Sequence, residues 1–98
     1  MHQSDTRETL ARIAQMEECF EALSRAADTH PFIIPEKQLQ LLKDYYEGGQ
    51  WLEDYEMDEQ GMLPPDLKRG VLSQDGIYNL LERLKEISEN ESYGVIPL

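Results

Sequence analysis

The chain has few of the residue types that build disulfide frameworks, metal centres and membrane spans. Its 98 residues include one cysteine, Cys19, and two histidines. A single cysteine cannot form an intramolecular disulfide, nor can it assemble a cysteine-based zinc site. No stretch approaches the roughly 18 apolar residues of a membrane helix, and the first ten residues lack the basic start and apolar run of a signal peptide. These absences favour a cytoplasmic protein without membrane contact, metal or other cofactor.

Basic residues are also scarce. Nine lysines and arginines stand against twenty aspartates and glutamates, a formal net charge of -11. Such a chain would repel the phosphates of DNA and RNA, so we expect no direct nucleic-acid binding. The charge suits a protein partner with a basic surface, although an acidic excess also serves simply to keep a small protein soluble. The 40% of hydrophobic residues are enough for a folded domain.

Apolar residues recur at helical spacing and predict an all-α fold. A long first helix is expected from Asp5, with Glu8 completing a capping box, to about Asp28. Pro35 suits the first turn of a second helix, which the pair Gly48-Gly49 ends or kinks. The apolar stripe of the first helix consists of Ile13, Met16, Phe20, Leu23 and Ala27.

The second half of the chain predicts two more helical segments. A short one runs through Trp51 and Tyr55 to Gly61, a natural left-handed C-cap. A final helix is expected after Ser73 as its N-cap, and its apolar positions are Ile77, Leu80, Leu81, Leu84 and Ile87. The prediction is a small bundle of three main helices with a short extra helical segment. It forms a single domain over residues 1–98, in which residues 1–4 are expected to fray and residues 90–98 to fray or to dock on the core.

Several motifs resemble one bacterial family. They are the run Trp51-Leu52-Glu53-Asp54-Tyr55-Glu56, the turn from Leu63 to Ser73, and Tyr78 with Leu80-Leu81 in the last helix. With the looser first helix, they are similar to the bacterial family catalogued as domain of unknown function 4298, over about Leu10 to Ile87. The resemblance implies a helical fold and carries over no catalytic residue.

The stretch from Asp44 to Asp66 is densely acidic and contains no lysine or arginine. It is either a solvated surface or a binding face. An EF-hand calcium loop is disfavoured because Leu67 stands where a bidentate glutamate is needed. Carboxylates at helical spacing could instead imitate a nucleic-acid backbone. The candidate partner-contact residues are Glu53, Asp54, Glu56, Asp58 and Glu59.

Other conspicuous residues have simpler structural interpretations. The aromatic residues, Trp51, Tyr45, Tyr46, Tyr55 and Tyr78, could form a cage, but in a small domain such residues are more often core anchors. Lys68-Arg69 should form salt bridges with neighbouring carboxylates rather than bind phosphate. Cys19 borders the apolar stripe, which favours a buried hydrophobe over a nucleophile paired with His30.

These observations together predict a small, acidic, non-enzymatic protein-interaction domain of adaptor or regulatory type. Its partner is expected to be another protein, and a basic surface on that partner would complement the acidic charge of this chain. A homodimer is also compatible with the sequence. The alternative is an acidic inhibitor, a nucleic-acid mimic that occupies the basic cleft of a nucleic-acid-binding protein.

Overall fold

A computed structural model describes the backbone of residues 6–95 and the side chains of residues 7–90. Within these limits the fold is all helical. Its elements, in chain order, are α1 (Thr6–Ala27), α2 (Glu36–Glu47), α3 (Gln50–Glu59), a 3₁₀ turn (Gly70–Leu72) and α4 (Gly76–Val95). The predicted all-α class is thus confirmed. The described chain has four helices, however, because the expected short segment is a ten-residue helix, nearly as long as α2.

Helix α1 lies at the centre of the packing. It contacts α2, α4 and the 3₁₀ turn, while α3 packs against α2 and the same turn. The stripe predicted on α1 faces this junction, since Ile13, Met16 and Leu23 are buried and Phe20 and Ala27 are partly buried. The buried residues that other elements contribute include Leu42, Val71, Leu72, Ile77, Leu80 and Leu84.

Glycines shape both ends of α3. Gly49, just before the helix, has φ +97°, and Gly61, just after it, has φ +76°. Residues with a Cβ rarely adopt these left-handed conformations, so glycine allows two sharp changes of direction within the segment 49–61. The prediction that Gly61 lies in the left-handed conformation beyond a helix end is confirmed.

The boundaries of the last helix differ from the prediction. Ser73 is not its N-cap, because the Ser73 N–H and hydroxyl both donate to the Gly70 carbonyl, at 3.3 and 3.0 Å, and so close the 3₁₀ turn. Helix α4 starts three residues later, and Asn79 N–H donates to the Asp75 carbonyl. The helix then continues to Val95, past Asn90 where the tail was expected to begin. The structure does not describe residues 1–5 or 96–98. The predicted cap at Asp5 and the predicted fraying of residues 1–4 therefore lie outside the described residues.

Helices α1 and α4 are long enough to span a membrane, but neither they nor the other helices of the described chain are sufficiently apolar to do so.

Candidate protein-interaction surface

The acidic helix α3 buries one of its carboxylates completely. Asp54 has 0% exposed surface and binds the Arg12 guanidinium through two hydrogen bonds, Nε to Oδ2 at 3.0 Å and Nη2 to Oδ1 at 2.8 Å. The Tyr45 hydroxyl donates to Oδ2 at 2.8 Å, and Arg12 Nη2 also donates to Thr9 Oγ1 at 3.3 Å. A single carboxylate therefore connects α1, α2 and α3.

This cluster changes the acid–base properties of its members. Burial raises the pKa of the Tyr45 phenol far above its usual value, and the hydrogen bond to the Asp54 carboxylate raises it further. The hydrogen bonds with Asp54 likewise raise the pKa of Arg12. A buried carboxylate is tolerated only when hydrogen bonds and an opposite charge replace its hydration, and both are present here.

A second arginine orders the loop between α3 and α4. Arg69 Nε donates to Asp58 Oδ1 at 2.8 Å, and its other nitrogens donate to the carbonyls of Pro64, Pro65 and Leu67 at 2.6, 3.2 and 2.9 Å. The guanidinium thus bridges three backbone carbonyls of the loop, and the Pro64 carbonyl also accepts the Leu67 N–H at 3.3 Å. The predicted salt bridge between this basic pair and the acidic stretch is present for Arg69. Lys68 instead pairs with Glu21 of α1, at 3.4 Å.

The peptide groups around Val71 connect α1 to α3. Buried Glu17 accepts the Val71 N–H at 2.9 Å, and the Val71 carbonyl accepts the Trp51 indole N–H at 2.8 Å. A Cβ at Gly70 would lie 2.8 Å from Glu17 Oε2, so a larger residue here would require the Glu17 carboxylate to shift. Trp51 packs against the core and lies between the rings of Tyr46 and Tyr55, at centroid distances of 5.3 and 5.0 Å.

Two of the five candidate contact residues prove to be structural. Asp54 is fully buried, so its assignment to a partner-contact surface was wrong: Arg12 and Tyr45 neutralise and enclose it. Asp58 is half-buried and paired with Arg69. Glu53, Glu56 and Glu59 are exposed on the opposite side of the helix.

The outer face of α3 combines those glutamates with an apolar side chain. Leu52 is 50% exposed and lies beside Glu53, one helical turn from Glu56. Among residues 7–90, no lysine or arginine forms a salt bridge with Glu53, Glu56 or Glu59. Glu53 and Glu56 also line a shallow polar groove between α1 and α3, where Glu8 adds a carboxylate and the partly exposed Arg12, bound to Asp54, adds a positive charge. The face is acidic, with an apolar residue at its centre.

The other residues highlighted by the sequence lie elsewhere. Cys19 is buried as predicted, and burial raises the pKa of its thiol, which disfavours the nucleophilic thiolate. Tyr78 is not a core anchor: it is 53% exposed because the buried stripe of α4 passes through Ile77 and Leu80. In the described part of the chain, no three histidine, cysteine, aspartate or glutamate side chains are placed to hold a metal ion.

Sequence reasoning missed Arg12, Glu17 and the exposed Leu52. A usable signal existed for both buried acids. Glu17 follows Ile13 by four residues and precedes Phe20 by three, so it occupies a position on the apolar stripe. Asp54 is likewise three residues from Trp51. A polar residue on an apolar stripe indicates a buried group that requires a partner.

The family model for domain of unknown function DUF4298 matches residues 9–91. The chain belongs to this family. The matched region contains every residue of the Arg12–Asp54–Tyr45 cluster and the whole of α3. No curated protein and no solved structure matches the chain.

Proposed function

We propose that this member of the DUF4298 family is a non-enzymatic protein-interaction domain. In this proposal the outer face of α3 binds a basic region of a partner protein. The observation that carries the proposal is the exposed Leu52 among three glutamates that form no salt bridge within residues 7–90.

Charge and apolar surface contribute differently to such a contact. Unbalanced carboxylates attract a basic surface from a distance and mainly accelerate association. An exposed apolar side chain contributes affinity once the partner covers it and removes it from water. The outer face of α3 provides both the charge and the apolar surface, because Leu52 is surrounded by Glu53, Glu56 and Glu59.

The inner side of α3 supports the proposal by making the helix a rigid platform. The bidentate pair with Arg12 and the indole hydrogen bond of Trp51 hold the helix from two directions. A partner would therefore meet a helix backbone already in position, and the ordering entropy lost on binding would come mainly from the exposed side chains.

The nucleic-acid mimic remains the alternative, but it is weakened. A mimic needs a dense row of exposed negative charges, whereas two of the five carboxylates considered, Asp54 and Asp58, are committed to arginines. Three exposed glutamates on one helix suit a local basic contact better than an extended nucleic-acid cleft.

The proposal is tested by affinity capture from the native host with three baits. These are the wild type, the charge reversal Glu56→Lys with Glu59→Lys, and the control Glu86→Lys with Glu89→Lys. The control changes an exposed pair of the same spacing on α4. We expect a protein with a basic surface to be captured by the wild type and the control and to be lost from the α3 variant.

Circular dichroism first establishes that all three baits are folded. Equal capture by both variants would contradict an α3 binding face. A captured set composed of nucleic-acid-binding proteins whose activity the wild type inhibits would favour the mimic instead.

A further inference from the structure

A second surface, distinct from the outer face of α3, lies between α2 and α4. Both helices pack against α1 but scarcely touch each other, so a groove of about 460 Å³ remains between them. Its lining is largely apolar, and Tyr78 is 53% exposed within it. The other apolar residues of the groove include Ile34, Leu39, Tyr46 and Leu81.

The charged residues that border the groove are balanced. Lys43 and Glu47 stand on the α2 rim, and Glu82 and Lys85 stand on the α4 rim. The formal charge of these four residues is zero, in a chain whose net charge is -11. A strongly basic partner would gain nothing from this surface, whereas a second copy of the acidic chain could approach here without local repulsion.

The order of the charges is also self-complementary. A two-fold axis across the groove would place equivalent helices antiparallel. Along α4, Glu82 would then face Lys85 of the second copy, and Lys85 would face Glu82 of the second copy. On α2 the same operation pairs Lys43 with Glu47. Each rim thus complements itself, which is what an isologous contact requires.

We infer that the groove between α2 and α4 is a homodimer interface, occupied by the same groove of a second copy. Dimerisation buries Tyr78 and the surrounding apolar lining and pairs the rims. This surface leaves the outer face of α3 free, so each dimer presents two acidic faces.

Sedimentation equilibrium in about 0.15 M salt, where charges are screened beyond about 8 Å, tests the inference. The wild type should form a dimer. In a dimer of Glu82→Lys the α4 rims of both copies are basic, and in a dimer of Lys85→Glu they are both acidic. Like charges then face each other, so each variant alone should dimerise at least about tenfold more weakly than the wild type. An equimolar mixture of the two variants should recover the association, because the basic α4 rim of one variant then faces the acidic α4 rim of the other.

Controls separate this inference from the proposed α3 contact. Glu56→Lys, outside the groove, should dimerise like the wild type, and Tyr78→Ser should weaken the dimer. Glu82 and Lys85 are exposed, so both variants should fold. If either does not, Lys43→Glu and Glu47→Lys repeat the test on the α2 rim. Three results would each overturn the inference. The wild type could stay monomeric to about 1 mM, the rim variants could dimerise as the wild type does, or their mixture could fail to associate.

Discussion

Both faces of α3 carry carboxylates, but those on the inner face are at least partly buried and paired, whereas those on the outer face are exposed. On the inner face, Asp54 is fully buried and bound by Arg12 and Tyr45. On the outer face its immediate neighbour, Glu53, is exposed and has no arginine or lysine partner among residues 7–90. The difference teaches that the acidic excess of this chain is not a single feature. Part of it holds the helices together, and part of it is surface.

The comparison also explains how so acidic a helix folds. Buried charge is costly unless it is paired, and the two arginines pair the two inward carboxylates of α3. The outward glutamates remain hydrated and repel one another only weakly. The inner face should therefore be sensitive to substitution and the outer face tolerant.

The largest effect is expected at Trp51. Trp51→Ala removes its packing between Tyr46 and Tyr55 and leaves the Val71 carbonyl without the indole donor. The free energy of unfolding should fall by about 3–4 kcal/mol in urea denaturation. Leu52→Ala on the outer face is the control and should cost less than about 1 kcal/mol. Equal losses for the two variants would break the distinction between the faces.

Removal of the arginine partner should be nearly as severe. Arg12→Leu leaves the Asp54 carboxylate buried without its counter-charge, which should lower the free energy of unfolding by about 3 kcal/mol. Arg25→Leu, an exposed position on the same helix, should change it by about 0.5 kcal/mol at most. Thermal and urea unfolding of both variants measure the difference. A tolerated Arg12→Leu would mean that Tyr45 alone suffices for Asp54.

A smaller effect with a defined pH dependence is expected at Tyr45. Tyr45→Phe removes one donor to Asp54 and should cost about 1–2 kcal/mol at neutral pH. In the wild type the folded-state pKa of Tyr45 is raised above its unfolded value of about 10. The stabilisation is therefore complete below about pH 10 and is lost as the pH rises towards the folded-state pKa.

The phenylalanine variant should accordingly lose stability less steeply than the wild type above about pH 10. Urea denaturation across the alkaline range provides the measurement. Parallel slopes for the wild type and Tyr45→Phe would show that the buried phenol does not retain its proton.

The smallest effect belongs to the outer face. Glu56→Gln with Glu59→Gln should leave the free energy of unfolding within about 0.5 kcal/mol of the wild type, or raise it slightly by relieving repulsion. The matched pair Glu86→Gln with Glu89→Gln should behave alike. A loss above about 1 kcal/mol confined to the α3 pair would assign these glutamates a structural role.

Local patterns predicted much of this arrangement. Apolar spacing located α1, α2 and α3, and the left-handed Gly61 followed from the preference of glycine for that conformation. The 3₁₀ turn was missed because Gly70–Leu72 is too short for a periodic signal. The Ser73 hydroxyl, which was expected to cap α4, donates to the Gly70 carbonyl of this turn instead.

Which carboxylates are buried and paired, and which are exposed, could not be predicted from local patterns. Arg12 and Asp54 are 42 residues apart in sequence, so their pairing depends on how α1 and α3 pack and not on either helix alone. Glu17 and Val71 are separated by 54 residues. A run of acidic residues therefore indicates a charged segment, but the tertiary structure determines which of its members reach the surface.

The most direct test of the difference between the faces compares two adjacent residues in equilibrium urea denaturation. Asp54→Asn and Glu53→Gln make the same chemical change, a carboxylate to an amide, at consecutive positions of α3. We predict a loss of about 3 kcal/mol for Asp54→Asn, because a buried amide offers one acceptor oxygen where the carboxylate accepts from Arg12 and Tyr45 through two. We predict a change within about 0.5 kcal/mol for Glu53→Gln. Similar effects at the two positions, or a larger loss at Glu53, would contradict the division of α3 into a structural inner face and an acidic outer one.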